Sequence, residues 1–287
     1  VTLPTGTAPF GARLRETFET VGHLCVGIDP HDYLLAEWEL SRDATGAREF
    51  GLRIIDALDG AAGIVKPQVA FFERFGSTGY QALEDVLAAC RDAGILVIAD
   101  AKRGDVGSTV EAYAHAWLTP GSPLEADAMT VSAYQGLGSI TDARELALSS
   151  GKGLFVLAAT SNPESFEPQR AIIANGEYTG DSVAGAIING VTQWNTNEAG
   201  LGSMGVVIGA TIALDDYGIH HGVLTSTPIL APGFGHQGAH YDDIAALYGS
   251  SAHNVLVSAS RSILAAGLSG IKKAIRTEAD AIGQVYS

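Results

Sequence analysis

Eight short apolar runs recur along the chain, at residues 24–28, 63–66, 95–99, 128–131, 153–158, 205–208, 228–231 and 254–257. Most lack the strict apolar–polar alternation of a half-solvated strand. They read instead as strands buried on both faces, as in a parallel sheet. Segments with helical spacing lie between them, for example 80–93, 109–118, 139–149, 182–198, 241–248 and 262–274. Asp181 and Ser182 are candidate N-caps, Asp242 caps or enters the next helix, and Gly94 and Gly151 read as helix stops. Eight strand–helix alternations predict an α/β fold, a (β/α)8 TIM barrel, with residues 1–287 as a single domain. The alternative is an open doubly wound sheet. The count of eight, and the lack of a Gly-rich dinucleotide turn after the first run, favour the barrel. Two connections exceed ordinary length, 31–45 and 161–180. Such segments commonly serve as lids or binding loops.

Composition narrows the field. The 287 residues are 46% hydrophobic, enough for a large core. No stretch approaches the roughly 18–20 consecutive apolar residues of a membrane span, so no membrane partner is expected. Residues 1–14 lack a basic start followed by an apolar run, so no secretory signal is expected and a cytoplasmic location is. The formal charge of −15 argues against nucleic acid as a partner. It leaves room for a small anion, because a few cations in a cleft override the global sign. Cys25 and Cys90 allow one disulfide on paper, but two buried free thiols are the expectation. No Cys/His spacing resembles a zinc site, and no metal is expected.

In a barrel, chemistry sits at the C-terminal ends of the strands. After the runs come, in order, Asp29; Lys66; Asp100, Lys102, Arg103 and Asp105; Ser132; Thr160, Ser161 and Asn162; Pro232 to Gly238; then Ser258, Ser260 and Arg261. Any one of these charges could be a solvated loop residue. Together they form a mixed-sign array that a partly buried mouth tolerates only when paired, the usual mark of a functional site. Asp100 and Lys102, two apart, point to the same side of an extended chain. Gly104 invites a turn, so Asp105 can face a different cleft, including one on a neighbouring subunit. A phosphate site is expected in the last two loops, from Gly233, Gly235, Gly238, Gln237 and Arg261 beside Ser260. His220, His221 and His236 read as surface residues and His115 as packing. Phe71, Phe72 and Trp117 read as core, and Ser161 has no hydrolase triad around it.

Taken together, Val26-Gly27-Ile28-Asp29-Pro30, Lys66-Pro67-Gln68-Val69-Ala70-Phe71-Phe72-Glu73, Asp100-Ala101-Lys102-Arg103-Gly104-Asp105-Val106, Thr160-Ser161-Asn162-Pro163-Glu164, Ala231 to Gly238 and Ser260-Arg261-Ser262-Ile263 resemble the orotidine 5′-phosphate decarboxylase family, in its longer-chain bacterial subgroup. The resemblance spans nearly the whole chain. Val106 stands where the family often has isoleucine, and the swap keeps a β-branched apolar contact. The resemblance implies conversion of orotidine 5′-phosphate to uridine 5′-phosphate without a cofactor. It implies Lys102 as proton donor to C6, Asp100 beside the leaving carboxylate, and Asp29 and Lys66 on the ribose hydroxyls. Ser161 would bond the pyrimidine, Pro232 line the pocket, and Gln237 and Arg261, beside Ser260, hold the phosphate. Asp105, Val106 and Thr109 would reach a partner's site in a homodimer. Two rivals remain. One is a sugar-phosphate enzyme similar to 3-keto-L-gulonate 6-phosphate decarboxylase, which shares the Asp-x-Lys-x-x-Asp spacing but uses Mg²⁺. The other is a non-catalytic nucleotide-binding protein.

Overall fold

In the computed structural model, which describes residues 8–220, 222–235 and 238–286, eight parallel strands close into a barrel in sequence order. They are β1 (Leu24–Ile28), β2 (Ile64–Pro67), β3 (Leu96–Arg103), β4 (Ala128–Val131), β5 (Gly153–Ala159), β6 (Met204–Ile208), β7 (Ile229–Pro232) and β8 (Val255–Ala259). Each apolar run overlaps one strand. β1 pairs with β8, which excludes the open sheet and leaves no strand edge unpaired. Helices separate the strands, among them Gly76–Asp92, Gly107–Leu118, Thr141–Ser149, Val183–Trp194 and Gly267–Val285. The fold is a TIM barrel.

Strand side chains alternate in direction, so each strand serves two apolar layers. One set, with Val26, Val65, Val97 and Val156, packs against helix residues such as Phe50, Ile54, Leu83 and Val86. The other set, with Cys25, Ile64, Ile98, Ala128, Phe155 and Leu256, clusters in the barrel lumen with Phe10 and Leu14. These last two come from the helix Phe10–Thr20, which closes the N-terminal end of the barrel. Phe10 meets Phe155 edge-on, with ring centroids 6.0 Å apart. Glycine makes that packing possible: a Cβ on Gly153, at the start of β5, would stand 2.4 Å from Phe10 Cδ1. The lumen is thus filled from below, and its open end is the C-terminal one.

The two long connections carry short helices of their own. Segment 31–45 holds a helix, Asp32–Glu37, and the start of another, Ala44–Leu58. Asp43 caps the latter, its carboxylate accepting the Gly46 N–H at 3.0 Å. Segment 161–180 holds a 3₁₀ turn, Pro163–Ser165, and a helix, Phe166–Arg170. Ser182 caps Val183–Trp194 by accepting the Gly185 N–H at 2.9 Å, while Asp181 accepts from Asn189 Nδ2 instead. Asp242 enters the 3₁₀ turn Tyr241–Asp243. Gly94 and Gly151 take the left-handed conformation of helix stops, with φ of +68° and +67°. His115 does not pack. The helix buries Val110, Ala114, Trp117 and Leu118, which leaves His115 exposed beside Thr119 and Glu111. Trp117 and Phe72 are core, whereas Phe71 is half-buried against His31. Cys25 and Cys90 are buried and free, and burial pushes both thiols up to about 12. Among the described residues, no helix is long and apolar enough to cross a membrane.

Candidate active site

Lumen-facing positions change character from the bottom of the barrel to the top. On β2 and just beyond, the series runs Ile64, Lys66, Gln68; on β3 it runs Ile98, Asp100, Lys102; on β4 it runs Ala128, Thr130. Apolar side chains give way to charged ones within two residues. Lys66 and Asp100 are 8% and 7% exposed, with Nζ and Oδ2 2.9 Å apart. The other carboxylate oxygen, Oδ1, accepts from Lys102 Nζ at 2.5 Å and from the Thr130 hydroxyl at 2.9 Å. Lys102 Nζ also donates to Gln68 Oε1 at 3.3 Å. Burial by itself would raise the pKa of Asp100 and lower that of Lys66. Their attraction outweighs it. Lys66 and Lys102 hold the Asp100 carboxyl well below the usual range, while Asp100 and Asp29 hold Lys66 above the ordinary lysine value. One buried carboxylate therefore bridges two amines.

Simple alternation does not bring Lys102 to Asp100. β3 is bulged between Ala99 and Arg103, and Lys102 has φ +47°. That left-handed conformation costs a non-glycine residue about 1–3 kcal/mol, and it persists only where neighbours enforce it. Arg103 anchors the far side of the bulge. It donates to Ala101 O at 3.1 Å and to Glu73 Oε1 at 2.8 Å, and its guanidinium lies 5.7 Å from the Tyr113 ring centroid.

The network lines one side of a cavity of about 480 Å³. Across the barrel, Leu157, Val207, Leu230 and Pro232 supply an apolar wall, with Thr160, Ser161 and Asn162 at the rim. Asp29 stands at the end of β1. Its Oδ2 accepts the Ser260 hydroxyl at 2.5 Å, and its buried Oδ1 has no hydrogen-bond partner among the described residues. Gly27 admits that pair, because a Cβ there would lie 2.7 Å from Ser260 Cβ. Arg261 is exposed and opens the short helix Arg261–Leu264. Gly233, Gly235 and Gly238 have φ of +117°, +69° and +101°, a loop that side-chain-bearing residues rarely adopt. Gln237 and His236 lie outside the described residues. Asp105, Val106 and Thr109 are not among the cavity's lining residues. Asp105 accepts the Val106 N–H at 2.8 Å, and Val106 is 54% exposed. Thr109 shares a helix face with Tyr113, four residues on, and Tyr113 and Tyr134 are exposed as well.

Sequence reasoning alone does not single out Gln68 and Thr130. Gln68 keeps the two-residue step from Lys66, and Thr130 is a polar residue inside an apolar run. Both were signals that the lumen face carries polar groups there. A second cleft, of about 470 Å³, opens at the N-terminal end of the barrel, and four of its charged side chains pair with one another. Arg13 pairs with Asp127 at 2.5 Å and Lys152 with Glu125 at 2.7 Å.

A closed (β/α)8 barrel with an ionised network at its C-terminal mouth is the architecture of a barrel enzyme. Residues 22–275 match the family described as orotidine 5′-phosphate decarboxylase / HUMPS. The chain is 48% identical over 258 residues to an orotidine 5′-phosphate decarboxylase of Salinispora tropica, covering 90% of each chain. It is 46% identical over 273 residues to that of Streptomyces coelicolor, covering 95% of each. A crystal structure from Streptomyces avermitilis, of a candidate orotidine 5′-phosphate decarboxylase, superposes with a TM-score of 0.91 at 44% identity over 99% of both chains. The Leishmania donovani OMP decarboxylase gives 0.76 at 29%, over 96% of this chain and 98% of that one. The chain belongs to the orotidine 5′-phosphate decarboxylase / HUMPS family and is a carbon–carbon lyase.

Proposed function

We propose that the barrel mouth decarboxylates orotidine 5′-phosphate to uridine 5′-phosphate, with Lys102 as proton donor and no cofactor. The observation that carries this reading is the Lys66–Asp100–Lys102 array facing an apolar wall across one cavity. A flat pyrimidine fits against Leu157, Val207, Leu230 and Pro232. Its C6 carboxylate then lies beside Asp100, and Ser161 at the rim bonds the ring. As the bond from C6 to the carboxylate carbon breaks, CO₂ leaves and the electron pair stays on C6. The Lys102 ammonium stabilises that charge and transfers its proton to C6.

Asp29 and Lys66 take the ribose hydroxyls, and Asp29 Oδ1, which no described residue bonds, is an acceptor suited to one of them. The phosphate goes to the β7 loop and to Arg261 beside Ser260, with Gln237 as an amide donor. Asp105, Val106 and Thr109, which do not line this cavity, serve a partner's site in a homodimer. The exposed Val106, Tyr113 and Tyr134 supply apolar surface for that contact. Loss of orotidine 5′-phosphate absorbance, measured with and without EDTA, tests the reading. EDTA-insensitive turnover supports it, and activity that collapses without Mg²⁺ favours a sugar-phosphate enzyme.

A further inference from the structure

β3 and β4 fall out of register where the charged network begins. Ala99 pairs with Met129 and Arg103 with Val131, so Asp100, Ala101 and Lys102 stand opposite a single residue, Thr130. A bulge of this kind removes backbone groups from the ladder. The Lys102 N–H is one of them, and Thr130 Oγ1 accepts it at 2.9 Å. The same hydroxyl donates to Asp100 Oδ1 at 2.9 Å. That oxygen is also the one held by Lys102 Nζ. A hydroxyl has one hydrogen and two lone pairs, so it can make both bonds at once. Thr130 is 1% exposed.

We propose that Thr130 is a positioning residue, whose hydroxyl ties the Asp100 carboxylate to the Lys102 backbone and so aims the Lys102 ammonium; the proposal rests on the decarboxylase reading above. Without the hydroxyl, the Lys102 N–H loses its acceptor and the left-handed turn at φ +47° loses a restraint. Asp100 loses one of the bonds that fix its plane. Valine keeps the shape and β-branching of threonine, so Thr130→Val isolates the hydroxyl. Thr130→Ser keeps the hydroxyl and drops the methyl.

The test is steady-state turnover of orotidine 5′-phosphate by wild type, Thr130→Val and Thr130→Ser, with a crystal structure of each variant. Thr130→Val is expected to lose about 30- to 100-fold in kcat with KM within about threefold, since a misplacement of about 1 Å costs on this order. Thr130→Ser is expected within about fivefold of wild type. An unchanged kcat in Thr130→Val, or equal losses in both variants, overturns the proposal. If the valine variant does not fold, Thr130→Ala against Thr130→Ser makes the same comparison. If wild type itself leaves orotidine 5′-phosphate untouched, the decarboxylase reading fails and the crystal structures decide the positioning role alone. An Asp100–Lys102 contact kept in serine and lost in valine supports it, and an unmoved pair in valine overturns it.

Discussion

Lys66 and Asp100 form a buried ion pair, 2.9 Å from Nζ to Oδ2, where β2 and β3 reach the barrel mouth. Removing one partner of such a pair strands the other charge away from water, at a cost of about 3–5 kcal/mol. Lys102 differs, because its side chain is 46% exposed and its charge stays hydrated. Asp100→Ala is therefore expected to lower the unfolding free energy in urea by roughly 3 kcal/mol, and Lys102→Ala by less than about 1. Equal losses in the two variants would show that the Lys66–Asp100 pair is not the buried element it is described as.

A titration effect lies at the opposite end of the barrel. His23 is stacked between Phe18, at 4.1 Å, and Tyr286, at 3.7 Å, with Nδ1 3.0 Å from Val255 O. Burial holds its pKa down at about 4, against 6.5 for a free histidine. The unfolded chain thus takes up a proton that the folded chain refuses between those values. His23 leaves stability unaffected above about pH 6.5 and erodes it as pH falls from 6.5 towards 4, by up to about 3 kcal/mol. His23→Phe keeps the stack and removes the titration. Thermal unfolding at pH 7 and pH 4.5 is expected to show a smaller acid loss in that variant than in wild type. The same loss in both contradicts the assignment.

The proposed sharing of sites across a homodimer makes a separate prediction. Lys102→Ala and Asp105→Ala chains, each inactive alone, are expected to regain activity when mixed, because a hybrid dimer contains one site with both residues intact. About a quarter of wild-type activity is the ceiling under random chain exchange, since half the dimers are hybrids with one good site in two. No recovery, with exchange verified by mass spectrometry, removes the trans role of Asp105.

Much of the barrel is legible because strands buried on both faces leave continuous apolar runs. The reading fails where structure depends on two strands together. The run 95–99 stops at Ala99, but β3 continues to Arg103. Its last residues are polar because they face the mouth, not because the strand has ended. The bulge opposite Thr130 is a mismatch between β3 and β4, and neither strand's sequence records it. The +47° φ of Lys102 is equally hidden, since lysine carries none of the signal a glycine gives. The packing expected of His115 fails for a simpler reason. Its helix has a narrow buried stripe, set by Val110, Ala114 and Trp117, and His115 falls just outside it. The mixed-sign array itself was readable, because Asp29, Lys66, Asp100 and Lys102 all follow apolar runs. That one carboxylate joins both lysines was not.

The central claim is that Lys102 supplies the proton to C6, and turnover by Lys102→Ala, measured beside its affinity for uridine 5′-phosphate, tests it most directly. Turnover is expected to fall at least about a thousandfold, as befits loss of both the acid and its charge, with nucleotide binding retained in part. Turnover within about tenfold of wild type would contradict the assignment of Lys102 as the proton donor.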